Sequence, residues 1–187
     1  MEILLGVSAS AACFKAAALA SQLVKAGHGV TAVLSSGAAR MVTPLQFSCL
    51  TGRVSLSDEW KPEDPAGMDH IQLARRADLV LLVPATAGRL GSVAHGLATD
   101  LLGSCLLAAE LEKPRIAVPS MNPEMWRQPA VQRNLKQLAQ DGWQFVGPVA
   151  GPTACGEDGL GRMAEVEDIL AAVMELSAGS SQTNPGS

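Results

Sequence analysis

Apolar positions fall along the chain in short blocks separated by stretches of helical period. Residues 2–7, Glu-Ile-Leu-Leu-Gly-Val, are apolar almost throughout and end in the small, polar run Ser8-Ala-Ser-Ala11. A block of that length predicts a buried strand, followed by a tight turn and a helix over 14–26. Lys25-Ala-Gly-His-Gly29 offers glycines to close that helix, and 30–34 follows as a second strand, so the first 34 residues predict a βαβ unit. Residues 77–83 are apolar on both faces, as expected of a parallel strand covered on each side, and Pro84 is expected to stop it. A helix over 90–110, a strand over 115–119, a helix over 123–141 and a strand over 143–146 complete the series. This alternation predicts an α/β fold, a single-domain, Rossmann-like, doubly wound parallel sheet.

Two segments break the alternation. Residues 55–67 read as an acidic surface loop, and 147–162, with five glycines and two prolines, read as a long irregular lid. The domain is expected to span 1–176, with the small, polar 177–187 as a disordered tail. Of the 187 residues, 48% are hydrophobic and 17% charged, enough for one sizeable core. Lys and Arg number 14 against 18 Asp and Glu, which leaves no basic field for a nucleic acid. No signal peptide or membrane span is visible, so a cytoplasmic protein with no membrane partner is expected. Cys13, Cys49, Cys105 and Cys155 form no CxxC pair; they suggest neither a disulfide framework nor a metal site, and the first three are expected in the core.

In a doubly wound sheet, ligands sit beyond the carboxyl ends of the strands. Those positions hold Ser8-Ala-Ser-Ala11, Ser35-Ser36-Gly37, Pro84-Ala-Thr-Ala-Gly-Arg89 and Pro119-Ser-Met-Asn122. Any one of these serines alone reads as a helix N-cap, but four small, hydroxyl-bearing turns on one edge suit a phosphate. No GxGxxG follows the first strand and no acid closes the second, which favours a mononucleotide over a dinucleotide. His70 is either structural or a proton-exchanging group, and His28 and His95 have weaker cases, one in a glycine turn and one within a helix. Asn122 is either an N-cap or a ligand for a carboxylate, and Cys155 is a thiol in the expected lid.

Three motifs resemble the homo-oligomeric flavin-containing cysteine decarboxylases, over nearly all of 1–176. Pro119-Ser-Met-Asn-Pro-Glu-Met-Trp126 is similar to the family's PxMNxxMW signature, Thr153-Ala-Cys-Gly-Glu-Asp-Gly-Leu-Gly-Arg-Met163 to its ACGD-type substrate clamp, and Asp69-His-Ile-Gln-Leu73 to its active-site histidine segment. The resemblance implies FMN held by Ala9, Ser10, Ala11, Ser35, Ser36, Thr86, Ala87, Gly88, Arg89 and Ser120. It implies His70 as catalytic base, Asn122 as ligand of the substrate carboxylate and Cys155 as proton donor. Met125, Pro152, Thr153, Ala154 and Met163 would line the substrate, and the chain would form trimers or dodecamers with flavin near a subunit interface. Three departures stand out. Ala9 replaces a usual glycine, Gly88-Arg89 replace the Asn-Thr of PASANT, and Glu157 replaces the clamp Asp.

The implied chemistry suits these residue types, because a saturated cysteine carboxylate has nowhere to delocalise the carbanion left by CO2. Oxidising its thiol first gives a sulfur analogue of a β-keto acid, which decarboxylates to an enethiol. The reshaped Gly88-Arg89 turn favours the C-terminal Cys of a ribosomal natural-product precursor peptide as substrate. The intact clamp cysteine supports an alternative, 4′-phosphopantothenoylcysteine in coenzyme A synthesis. A flavin-binding regulatory subunit without turnover is a second alternative.

Overall fold

The computed structural model describes residues 1–152 and 156–182. Five parallel strands form the sheet: β1 (Glu2–Val7), β2 (Gly29–Leu34), β3 (Leu79–Ala85), β4 (Arg115–Pro119) and β5 (Trp143–Phe145), in the order β2-β1-β3-β4-β5. The alternation of side chains along each strand divides the core in two. Ile3, Leu5 and Val7 face α1 (Cys13–Lys25), α2 (Pro44–Thr51) and α8 (Val166–Gln182), where Leu19, Leu23, Phe47, Ile169 and Val173 are buried. Leu4, Val80 and Leu82 face the other way, onto α3 (Asp69–Arg76), α4 (Ala87–Ala94), α5 (Leu101–Ala108) and α7 (Pro129–Gln140). Gly6 is needed on this side, because a Cβ there would come within 2.7 Å of Leu102 Cδ1.

Each expected strand is present, and the differences lie at ends and breaks. Strand β3 runs through Pro84 to Ala85 instead of stopping before it. The Pro84 carbonyl accepts from the Ser8 amide at 3.3 Å, and the pairing with β4 shifts register at that point. The single helix expected over 90–110 is two helices. Gly96, at φ +65°, ends α4 after His95, and the Asp100 carboxylate starts α5 by accepting from the Gly103 amide at 2.8 Å. His95 therefore terminates a helix and is not within one. The helix expected over 123–141 divides into α6 (Pro123–Arg127) and α7 at Pro129, where a proline can begin a helix but not continue one.

The segment expected as an irregular lid is an antiparallel hairpin, β6 (Val149–Pro152) with β7 (Asp158–Arg162). Its glycines allow close docking on α6: a Cβ at Gly159 would lie 2.8 Å from Pro123 Cβ, and one at Gly161 would overlap the Met121 carbonyl oxygen. Helix α8 continues to Gln182, so residues 177–182 extend a helix where a disordered tail was expected. Cys49 is exposed, against expectation, while Cys13 and Cys105 are buried. Helix α2 buries only Phe47, and a residue two positions on lies about 200° round the helix. No described helix is long and apolar enough to cross a membrane.

Candidate active site

The strand order reverses direction between β1 and β3, which opens a crevice beyond their carboxyl ends. Polar groups of three strand-end turns knit together there. Ser8 Oγ donates to the Pro84 carbonyl at 2.6 Å and accepts from the Thr86 amide at 3.0 Å. Ser10 and Ser120 share a hydroxyl hydrogen bond of 2.9 Å, and Ser10 Oγ accepts from the Ala12 amide at 3.2 Å. Ser35 Oγ accepts from the Ala38 amide at 3.2 Å, so Ser35 caps the turn after β2. Helix α1, by contrast, begins at Ala12 with no side-chain cap. Thr86 caps α4 by accepting from the Arg89 amide at 3.3 Å, whereas none of the four serines read as N-caps is the capping residue of a helix: the helices after β1 and β2 are capped at Ala12 and Gly37.

Two cavities flank the loop after β1. The first, about 320 Å³, is lined by Ser8, Ala9, Ser35, Ser36, Gly37, Thr86, Gly88, Arg89, Ser92 and Asp100. It is a hydroxyl-rich cradle in which Arg89 is the one cation among the lining residues. Gly37 keeps the turns close, since a Cβ there would sit 2.9 Å from Ala9 Cβ. The Arg89 side chain is only 9% exposed and pairs with Asp100 through Nη2 at 2.5 Å. Its Nη1 is buried with no hydrogen-bond partner among the described residues. A buried guanidinium nitrogen left without an acceptor is costly, and this one lies against α5, where a Cβ on Gly103 would come within 3.2 Å of it.

The second cavity, about 400 Å³ and mostly apolar, is lined by Ser10 to Ala12, Phe14, Lys15, Ser120 to Asn122, Pro152 and Gly161 to Met163. Its two cations are committed to one carboxylate, Lys15 to Glu165 at 2.7 Å and Arg162 to Glu165 at 3.0 Å. The Lys15 ammonium holds the Glu165 carboxyl below the usual range. Asn122 is fixed by its own cap: Oδ1 accepts from the Glu124 amide at 2.7 Å and the Met125 amide at 3.3 Å. The amide group is thereby turned outward as a donor, and Nδ2 donates to Glu157 Oε2 at 2.6 Å. The N-cap reading of Asn122 is thus met by the oxygen, and the nitrogen is a donor to a carboxylate of the chain itself.

The expected site residues divide as follows. Ala9, Ser35, Ser36, Thr86, Gly88 and Arg89 line the first cavity, and Ser10, Ala11, Ser120, Asn122, Pro152 and Met163 line the second. Ala87 opens α4 between them, and Met125, exposed on α6, lines neither. A Cβ at Gly88 would meet nothing, so the side chain missing relative to the resembled family leaves open space. His70 stands half-buried in the first turn of α3 and lines neither cavity of its own chain. Thr153, Ala154 and Cys155 lie outside the described residues. The two buried thiols fit no nucleophile's role: burial pushes Cys13 up and drives Cys105 to about 12, with Asp69 and Asp100 adding to the latter. Asp100 and Lys15 were not singled out from sequence, and Glu157 was named there only as a departure at the clamp's Asp position. Only Asp100 carried a signal, an N-capping residue ahead of an apolar run.

The chain belongs to the Flavoprotein family, whose model matches residues 1–178, in its branch of flavin-containing cysteine decarboxylases, as the three motifs indicated. The probable phosphopantothenoylcysteine decarboxylase of Streptococcus mutans is 37% identical over 93% of this chain and 97% of its own length. The coenzyme A biosynthesis bifunctional protein CoaBC of Bacillus subtilis is 42% identical over 90% of this chain, which spans 41% of that protein. Among solved structures, a PPC decarboxylase mutant complexed with pantothenoylaminoethenethiol superposes with a TM-score of 0.84 at 31% identity, covering 95% of this chain and 98% of the other. The FMN-dependent cysteine decarboxylase SpaF gives 0.80 at 28% identity, covering 95% and 97%.

Proposed function

We propose that this flavoprotein is an FMN-dependent decarboxylase acting on 4′-phosphopantothenoylcysteine. The observation that carries the reading is the Asn122 amide, locked by its own cap with the nitrogen turned out as a donor and already engaged by a carboxylate. The two cavities fit FMN: one is a hydroxyl-lined cradle with a buried, under-partnered cation for a phosphate, the other an apolar chamber. FMN, when bound, supplies the oxidation of the substrate thiol that makes loss of its carboxylate possible. Asn122 orients the carboxylate, His70 takes the proton from the thiol, and Cys155 returns a proton late in the reaction. Because His70 lines neither cavity of its own chain, a homo-oligomer in which a neighbouring copy completes the site is part of the proposal.

The choice of substrate departs from the expectation drawn from the turn at Gly88-Arg89. It is supported by the relative from Streptococcus mutans, similar over nearly the whole of both chains, and by the solved structure with the higher TM-score of the two described. The open space at Gly88 favours the second reading, a peptide ending in Cys. Mass spectrometry after incubation with each compound separates them. Phosphopantothenoylcysteine should lose about 44 mass units, CO2 alone, whereas the peptide reaction to an enethiol loses about 46, CO2 and two hydrogens. Turnover of the peptide with phosphopantothenoylcysteine untouched would reverse the assignment.

The cofactor site makes its own prediction. The protein should bind about one FMN per chain, and Arg89→Leu should weaken FMN binding about 10- to 100-fold, the worth of a hydrogen bond to a charged group. Riboflavin, which lacks the phosphate, should bind both proteins alike. Flavin fluorescence titration checks this, and equal losses for the two flavins would confine Arg89 to tying α4 to α5.

A further inference from the structure

We propose that Glu165 is a positioning residue: its carboxylate holds Lys15 and Arg162 together and so sets the width of the apolar cavity between the loop after β1 and the β6–β7 hairpin. The two cations stand on opposite walls. Lys15 belongs to the first turn of α1, just after the Ser10 to Ala12 lining, and Arg162 ends β7. Glu165 takes one with each oxygen, Lys15 Nζ donating to Oε2 at 2.7 Å and Arg162 Nη1 to Oε1 at 3.0 Å. Its backbone is fixed, because Met163, Ala164 and Val166 on either side are buried and the Ile169 amide donates to the Glu165 carbonyl at 3.3 Å.

The pose of Arg162 shows what the carboxylate does. The side chain crosses the hairpin over Gly151, where a Cβ would come within 3.2 Å of Nε and 3.7 Å of Cζ. There Nε is buried with no hydrogen-bond partner among the described residues, a cost that a swing of this partly exposed side chain into water would remove. The ion pair with Glu165 opposes that swing. Both cations reach one carboxylate, so they lie closer to each other than the screening length of about 10 Å at 0.1 M salt. With Glu165 they are drawn together; without it they repel, and Lys15, only 18% exposed, has little water to compensate it. The other flank of the hairpin is docked on α6 by the close approaches of Gly159 and Gly161 and by the Met121 amide donating to the Gly161 carbonyl at 3.0 Å. The wall that responds to Glu165 is therefore the one facing α1. Cys155 belongs to the segment joining β6 to β7, so a loosened hairpin misplaces the proposed proton donor. This kinetic consequence rests on the proposed function, whereas the ionic tie does not.

The test is amide hydrogen exchange of the hairpin in the FMN-loaded full chain, with kcat at saturating phosphopantothenoylcysteine measured on the same proteins. Glu165→Gln should speed exchange of the hairpin amides about fivefold at low salt and lower kcat by a similar factor, the worth of a small network of partly exposed ion pairs. The difference from the parent should shrink in 1 M NaCl, where the screening length falls to about 3 Å. Lys15→Met combined with Glu165→Gln removes the repulsion along with the attraction, so its exchange should fall between those of the parent and the single variant. The proposal is overturned by hairpin exchange unchanged in Glu165→Gln, by a double variant no better protected than the single one, or by a defect undiminished in 1 M NaCl, the mark of lost packing. A hairpin that loosens with kcat unchanged confines Glu165 to a structural tie. If the parent releases no CO2 from phosphopantothenoylcysteine, the substrate reading fails, and the exchange measurements still decide whether the tie exists.

Discussion

His70→Asn should keep its FMN and lose about 10²–10⁴-fold in CO2 release, the range that a positioned proton-transfer group contributes. The substitution removes the titratable nitrogen and keeps a polar side chain of similar reach. It should cost little stability, because no hydrogen bond joins the His70 side chain to another described residue. What holds this part of α3 is the neighbour: the buried Asp69 carboxylate accepts from the Glu63 amide at 3.0 Å and the Asp64 amide at 2.9 Å. Asp64 in turn accepts from the amides of Ala66 and Met68, so the acidic loop is pinned to the helix start without help from the imidazole. Released flavin and CO2 evolution measured on the same preparation check the result. Near-normal turnover would return His70 to a structural role.

Asn122→Asp should lower kcat/KM about 10²–10³-fold, with the fold and the flavin intact. Asp caps a helix as well as Asn, and its carboxylate can still accept from the Glu124 and Met125 amides, so α6 survives. The outward nitrogen, however, becomes a second carboxylate oxygen. It would face Glu157, its present partner at 2.6 Å, and repel the substrate carboxylate; like-charge juxtaposition of this kind costs several kcal/mol. The combination Asn122→Asp with Glu157→Gln removes the first repulsion and keeps the second, so it should not recover turnover. Thermal unfolding, flavin content and steady-state rates separate these effects. Activity within a fewfold of the parent in the single variant would remove Asn122 from the carboxylate site.

The three central strands were legible because they are buried on both faces. That leaves uninterrupted apolar runs such as 79–83, which no surface segment can sustain. Small, polar residues at the strand ends pointed to the crevice for a related reason, since bulky side chains there would fill it. Helix breaks were missed, although Asp100, an N-capping residue ahead of an apolar run, offered a signal for one of them. The run 90–110 was read as one helix, yet Gly96 and Asp100 divide it into α4 and α5. The segment 147–162 failed for the opposite reason: glycine-rich composition resembles that of a loop, whereas here the absent Cβ atoms let a hairpin lie on α6.

Local order and site chemistry differ in what specifies them. Strand positions, the parallel α/β class, the Asn122 cap and the flavoprotein motifs depend on residues close in sequence, so period, turn chemistry and spacing suffice to read them. Partnerships across long separations do not. Ser10 meets Ser120, Lys15 meets Glu165, and Asn122 meets Glu157 only after the sheet order and the hairpin have brought distant segments to one edge. The same packing seals Arg89 against Asp100 with one nitrogen unpartnered, and it leaves His70 outside both cavities of its own chain. Such contacts arise from the way two core layers close on a twisted sheet, and no local pattern of side chains encodes which hydroxyl or carboxylate will arrive opposite another.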